Sequence, residues 1–195
     1  MKNIFNRGDF REYRVESINE ACEEIRKSYD EYNRVKTTVF LSHKHDELDE
    51  LKDIIGFLER YYNVKTYIDS RDPSMPLVTS GATASRIKER VNECDRFILI
   101  ATNGAIDSKW CNWELGFGDA LKYSKKHIAL LPFKETVQAE NQYRGNEYME
   151  IYPYIVFRGN GDKYSDGSLI PPGFYVRYKN ENGRYSLKPL EEWFK

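Results

Sequence analysis

Glu114 is the residue of this chain with the most chemistry within reach. It stands in Trp110-Cys111-Asn112-Trp113-Glu114-Leu115, a Trp-Cys-x-x-Glu-Leu run that opens a predicted helix after a strand and a short polar loop. A lone carboxylate beside two indoles, at the mouth of a parallel sheet, is suited to opposing the positive charge of an oxocarbenium-like sugar transition state. The same pattern also fits a solvated glutamate favoured by the helix dipole, and indoles near a helix start also serve as packing. His43-x-His45, followed by Asp46, supplies metal-ligand residue types, but no third or fourth ligand follows at a recognisable spacing, so no metal is expected. That loop is better suited to touching a ligand through polar groups, and Asp46 can cap the next helix. No Gly-rich phosphate cradle follows the first strand, since Gly116-Phe117-Gly118 falls inside a helix. No nucleophile-elbow motif accompanies the serines and histidines.

The elements that must position Glu114 follow from hydrophobic spacing. Ser17 and Glu20 form a capping-box pattern, and Ile18, Cys22, Ile25, Tyr29 and Tyr32 predict an amphipathic helix over 16–34. Strands are predicted at Thr37–Ser42, Val64–Ile68, Arg96–Ala101 and His127–Pro132, with helices between them at about 48–58, 82–93 and 109–125. Such alternation implies a parallel sheet, with ligands beyond the carboxyl ends of its strands. The loops at that edge are 42–46, 69–81, 102–108 and 132 onward. The 69–81 loop is long for a compact domain, as functional loops often are, although a surface loop reads the same way. Tyr154–Phe157 reads as a fifth strand. Phe174–Tyr178 and Tyr185–Leu187 read as a hairpin around Asn180-Glu181-Asn182-Gly183. Tyr143, Tyr148, Tyr152 and Tyr154 read as packing or interface rather than a platform for bases.

Bulk properties narrow the class. With 195 residues the chain can bury one proper core. Its 30 basic and 31 acidic residues give a net charge of -1, against a nucleic-acid binder that works through phosphate contacts. No apolar run approaches the ~20 residues of a membrane span. The polar N-terminus is unlike a secretory signal. Three scattered cysteines, Cys22, Cys94 and Cys111, fit free thiols in a reducing cytoplasm.

Taken in order, Val39-Phe40-Leu41-Ser42-His43, Tyr67-Ile68-Asp69, the Pro-containing loop, Phe97-Ile98-Leu99-Ile100 and the Asn103–Leu115 run resemble a Toll/interleukin-1 receptor (TIR) domain over about residues 37–133. The first block resembles the family's box one, with His43 where an aromatic is usual, and 69–81 resembles its BB loop. The resemblance implies an α/β, flavodoxin-like fold with a central five-strand parallel sheet flanked by helices. It divides the chain into an N-terminal helical extension (1–36), a TIR domain (37–158) and a C-terminal hairpin extension (159–195). It implies that Glu114 is the catalytic glutamate of an NAD+ nucleosidase or ADP-ribosyl cyclase. Ser42, His43, Lys44, Asp69, Trp110 and Trp113 would contact NAD+, which is the substrate, with no cofactor. The bacterial members it most resembles act in antiphage defence as Thoeris components, making an ADP-ribose-derived signal for a separate effector protein. Family members also self-associate through the BB-type loop. The rival readings are a non-enzymatic TIR adaptor and a plain NAD+-depleting hydrolase.

Overall fold

The computed structural model describes residues 3–15, 36–44, 50–69, 72, 74–76, 80–134, 147–180 and 182–195. The helix predicted over 16–34 lies outside them, as do His45, Asp46 and Tyr143.

Among the described residues eight strands form one sheet: β1 (Phe5–Asn6), β2 (Thr38–Ser42), β3 (Lys65–Tyr67), β4 (Arg96–Ala101), β5 (Ile128–Lys134), β6 (Tyr154–Arg158), β7 (Gly173–Lys179) and β8 (Tyr185–Pro189). Their order is β3-β2-β4-β5-β6-β7-β8, with β1 paired to β5. The five strands β2 to β6 are mutually parallel, as expected. β7 and β8 continue the sheet antiparallel. All six residues of β4 are buried, as a parallel strand covered on both faces requires.

Strand alternation splits the core in two. Val39, Leu41, Ile98, Ile100 and Leu131 face one way. There they meet α1 (Leu51–Gly56), the wide π-type turn Phe57–Tyr61 that extends it, and the terminal helix α5 (Leu190–Phe194). Phe40, Phe97, Leu99 and Leu130 face the other way, onto α2 (Gly81–Glu93) and α4 (Lys109–Lys122).

Three features depart from the sequence reading. The predicted 102–108 loop contains a short helix, α3 (Asn103–Asp107), because Thr102 Oγ1 accepts from Ala105 N at 3.0 Å and caps it. The N-terminal residues add β1 beside Phe133 and Lys134, and bury Phe5 and Phe10 in the first core. At the far end, Trp193 and Phe194 are buried, with Arg96 Nε donating to Trp193 O at 2.8 Å and Thr37 Oγ1 to Phe194 O at 2.5 Å.

Two close approaches need glycine. A Cβ on Gly56 would sit 1.8 Å from Tyr13 O, and one on Gly118 would sit 3.0 Å from the Phe97 ring. Gly118 therefore lets α4 settle onto β4.

Candidate active site

In this strand order the chain leaves β2 for β3 on one side and then crosses to β4 on the other. The carboxyl ends of β2 and β4 therefore flank the switch point, where open α/β sheets bind ligands. Ser42 is the last residue of β2 and, by alternation, shares the face of Phe40, toward α4. On α4 the buried residues are Cys111, Glu114, Leu115, Gly118 and Lys122, spaced three, one, three and four apart. Glu114 thus lies on the apolar stripe of its helix, not on the solvated face.

Ser42 and Glu114 meet there. Ser42 Oγ donates to Glu114 Oε2 at 2.5 Å, and the two residues are 1% and 6% exposed. A buried carboxylate needs such donors, because an unmatched one is costly to desolvate. Cys111 lies between them. Burial pushes its thiol up, Glu114 pushes it the same way, and hydrogen bonds with Ser108 and Ser42 oppose the shift. Asp69 is within electrostatic reach of the same thiol.

The indoles are surface groups. Trp110 and Trp113 are 39% and 37% exposed and meet edge-on with ring centres 5.5 Å apart. Trp113 stacks on Phe117, over which Lys88 Nζ sits at 5.0 Å. Packing alone does not account for two large rings left half in water. His43 is buried, and its Nδ1 lies 3.4 Å from Leu41 O, so the ring folds back over its own strand. Lys44 is half-buried just beyond it.

Sequence reasoning passed over two positioning groups. Asn112 Nδ2 donates to Ile106 O at 2.7 Å and Ser108 O at 2.9 Å, and its Oδ1 accepts from Tyr148. These bonds lock the elbow between α3 and α4, from which Trp110 and Glu114 project. Asp72 ties down the base of the 69–81 loop. It accepts from Tyr67 Oη, Arg90 Nε and Ser74 N, each at 2.9 Å. Burial alone would raise its carboxyl, but bonds from Ser74, Arg90 and Tyr67 outweigh that and hold it well below the usual range.

Among the described residues no three His, Cys, Asp or Glu side chains group as metal ligands. No helix among them is long and apolar enough to cross a membrane.

The TIR domain family matches residues 39–168, so the chain belongs to the TIR domain family. It is similar to a protein of Bacillus cereus (strain MSX-D12) named probable 3' cyclic ADP-D-ribose synthase ThsB'. The two are 28% identical over 143 residues, covering 71% of this chain and 72% of the relative.

Proposed function

We propose that this protein cleaves the nicotinamide–ribose bond of NAD+ and converts the ADP-ribose part into a signalling nucleotide for antiphage defence. The observation that carries the reading is the Ser42–Glu114 pair, a buried carboxylate held at the switch point on a helix that also carries two exposed indoles.

The electron pair of the C1″–N bond leaves with nicotinamide, whose ring nitrogen is already cationic, so no strong general acid is needed. Positive charge develops on C1″ and O4″ of the ribose. Glu114 opposes that charge and accepts from the ribose hydroxyls, while Ser42 fixes the carboxylate so that little reorganisation is left at the moment of bond breaking. Trp110 and Trp113 wall the site from water, and His43, Lys44 and Asp69 contact the substrate at the same edge. Attack at C1″ by a hydroxyl of the same molecule forms the new C–O bond and releases one proton, closing a ring. The product class in the relative's name supports this over attack by water. NAD+ is a substrate here, and no cofactor takes part. The product acts on a separate effector protein, and the 69–81 loop brings copies together to complete the site. An adaptor that only recruits other TIR domains has no use for a buried carboxylate at position 114.

The test is to incubate NAD+ with the purified protein, and with protein from phage-challenged cells, and to resolve the products by chromatography and mass. Nicotinamide and a cyclised ADP-ribose are expected, both lost in Glu114→Gln. Linear ADP-ribose as the sole partner of nicotinamide would leave NAD+ depletion as the function. No nicotinamide release from either source would leave the adaptor. Replacing Met75-Pro76-Leu77 with Gly-Ser-Gly is expected to lower both activity and self-association; full activity in a dilute monomer would remove the assembly step.

A further inference from the structure

A second place in the fold holds a buried guanidinium whose Nε finds no hydrogen-bond partner among the described residues. Beyond β6, the 159–170 loop and the β7–β8 hairpin enclose a cleft of about 960 Å³, lined by Arg158, Lys163, Tyr164, Arg184 and Tyr185 among others. That volume is at the upper end of the ~300–1,000 Å³ of small-molecule sites. Arg158 is 6% exposed, and its Nε is buried with no hydrogen-bond partner among the described residues. A desolvated guanidinium left this way costs stability that a bound anion would restore. Asp162 offsets its charge in part, yet Lys163 and Arg184 leave the cleft with a basic surplus in a chain whose net charge is -1.

The walls are ordered by their own bonds. Ile170 N donates to Asp162 O and Tyr164 N to Ser168 O, both at 2.8 Å, and Gly159 N to Asp162 Oδ2 at 3.1 Å. Tyr185 also lines a neighbouring cleft of about 250 Å³ that holds Arg177 and Lys179. Arg177 sits 4.5 Å from the Tyr185 ring centre, and Tyr185 remains 56% exposed. Arg177 Nε, too, is buried without a hydrogen-bond partner among the described residues. Guanidinium groups that present paired donors to phosphate, next to exposed phenol rings on which a base can stack, are the two halves of nucleotide recognition. A concave site of this size encloses a small molecule, whereas an acidic peptide would be better served by the open edge of β8.

We infer that this cleft is a second, non-catalytic binding site for a nucleotide, with its phosphates on Arg158, Lys163 and Arg184 and its base against Tyr185. It shares none of the residues of the Ser42–Glu114 site. Arg158 ends β6, three strands along the edge from Ser42 at the end of β2, or roughly 15 Å at about 4.8 Å per strand.

ADP, pyrophosphate and adenosine serve as probes, titrated by calorimetry into full-length protein carrying Glu114→Gln so that nothing is turned over. ADP is expected to bind at least tenfold tighter than either pyrophosphate or adenosine, and to weaken as salt rises. The exposed pair Lys163→Gln/Arg184→Gln should weaken ADP at least tenfold without changing the melting temperature, and Tyr185→Ala should weaken ADP but not pyrophosphate. ADP binding unchanged in both variants would place the ligand elsewhere and overturn the inference, as would no ADP binding at millimolar concentration. Pyrophosphate binding as tightly as ADP would reduce the cleft to an anion site and overturn the nucleotide assignment. None of these readouts depends on NAD+ cleavage, so they stand or fall apart from the proposed function.

Discussion

Glu114 and Arg158 are each 6% exposed and each lie near the carboxyl edge of the same sheet, yet the chain treats them in opposite ways. Glu114 receives a hydroxyl from Ser42 across 72 positions of sequence. Arg158 keeps a buried Nε with no acceptor among the described residues. The parallel half fixes its charge in advance, which is what stabilising a short-lived cation requires. The end of β6, where the antiparallel extension begins, leaves its charge only partly offset by Asp162, which is what binding a stable anion requires. Burial alone therefore does not separate a catalytic group from a binding group; the state of its hydrogen bonds does.

The sharpest way to break this contrast is to remove each charge in turn. Glu114→Gln is expected to lower NAD+ cleavage about 10²- to 10³-fold with an unchanged melting temperature, since one preorganised electrostatic group is worth about 3–4 kcal/mol. Arg158→Gln should leave the cleavage rate within twofold. Equal losses in both, measured by nicotinamide release, would merge the two sites into one.

Ser42→Ala tests whether the carboxylate must be held. A hydrogen bond to a charged group contributes about 1.5–3 kcal/mol, so a 10- to 100-fold fall in kcat is expected with little change in KM. A rise in KM alone would recast Ser42 as a substrate contact.

Gly118→Ala raises the floor under α4. Its Cβ would press on the Phe97 ring at 3.0 Å, for an expected cost of about 1–3 kcal/mol in urea unfolding. Phe97→Leu added to it should recover part of that loss. A neutral Gly118→Ala would mean that the helix height over Ser42 is not set here.

The smallest effect is one of pH. Burial, and then Arg96, Lys122 and Lys125, hold the His127 imidazole below its ordinary value, and Arg96 NH1 lies 3.0 Å from its Nδ1. Below the unfolded value of about 6.5 the unfolded chain takes up this proton more readily than the folded one, so stability falls as the solution is acidified through that range. His127→Gln should flatten this part of the stability profile; an unaltered profile would assign the slope to other groups.

Much of the parallel half was legible in the sequence because its signals are local. Arg96–Ala101 is a continuous apolar run, and Ile87 and Val91 sit at helical spacing. Glu114 itself was open to a solvated reading only while its helix face was ignored. Cys111, Leu115 and Gly118 lie three, one and four positions away and mark the buried stripe. What escaped was set by partners far along the chain. β1 is two residues long and exists only because β5 offers an edge at Phe133 and Lys134. The α3 helix was hidden by Asn103-Gly104 and Asp107-Ser108, which read as turn residues until Thr102 and Ser108 are seen as caps. Asp72 gains its meaning only when α2 brings Arg90 to it across 18 positions.

The seam between the start of β4 and the terminal helix has a consequence for the protein's birth. Arg96 reaches Trp193 across 97 positions, and Thr37 reaches Phe194 across 157. Contacts so distant in sequence form late and slowly. On the ribosome, the roughly 75 residues between Glu114 and Leu190 take on the order of 4–15 s to appear. For that interval Ser42 and Glu114 have both been synthesised, yet the amino edge of the sheet beneath them is still open. The amino edge of the sheet is therefore closed by α5 only after both Ser42 and Glu114 have been made.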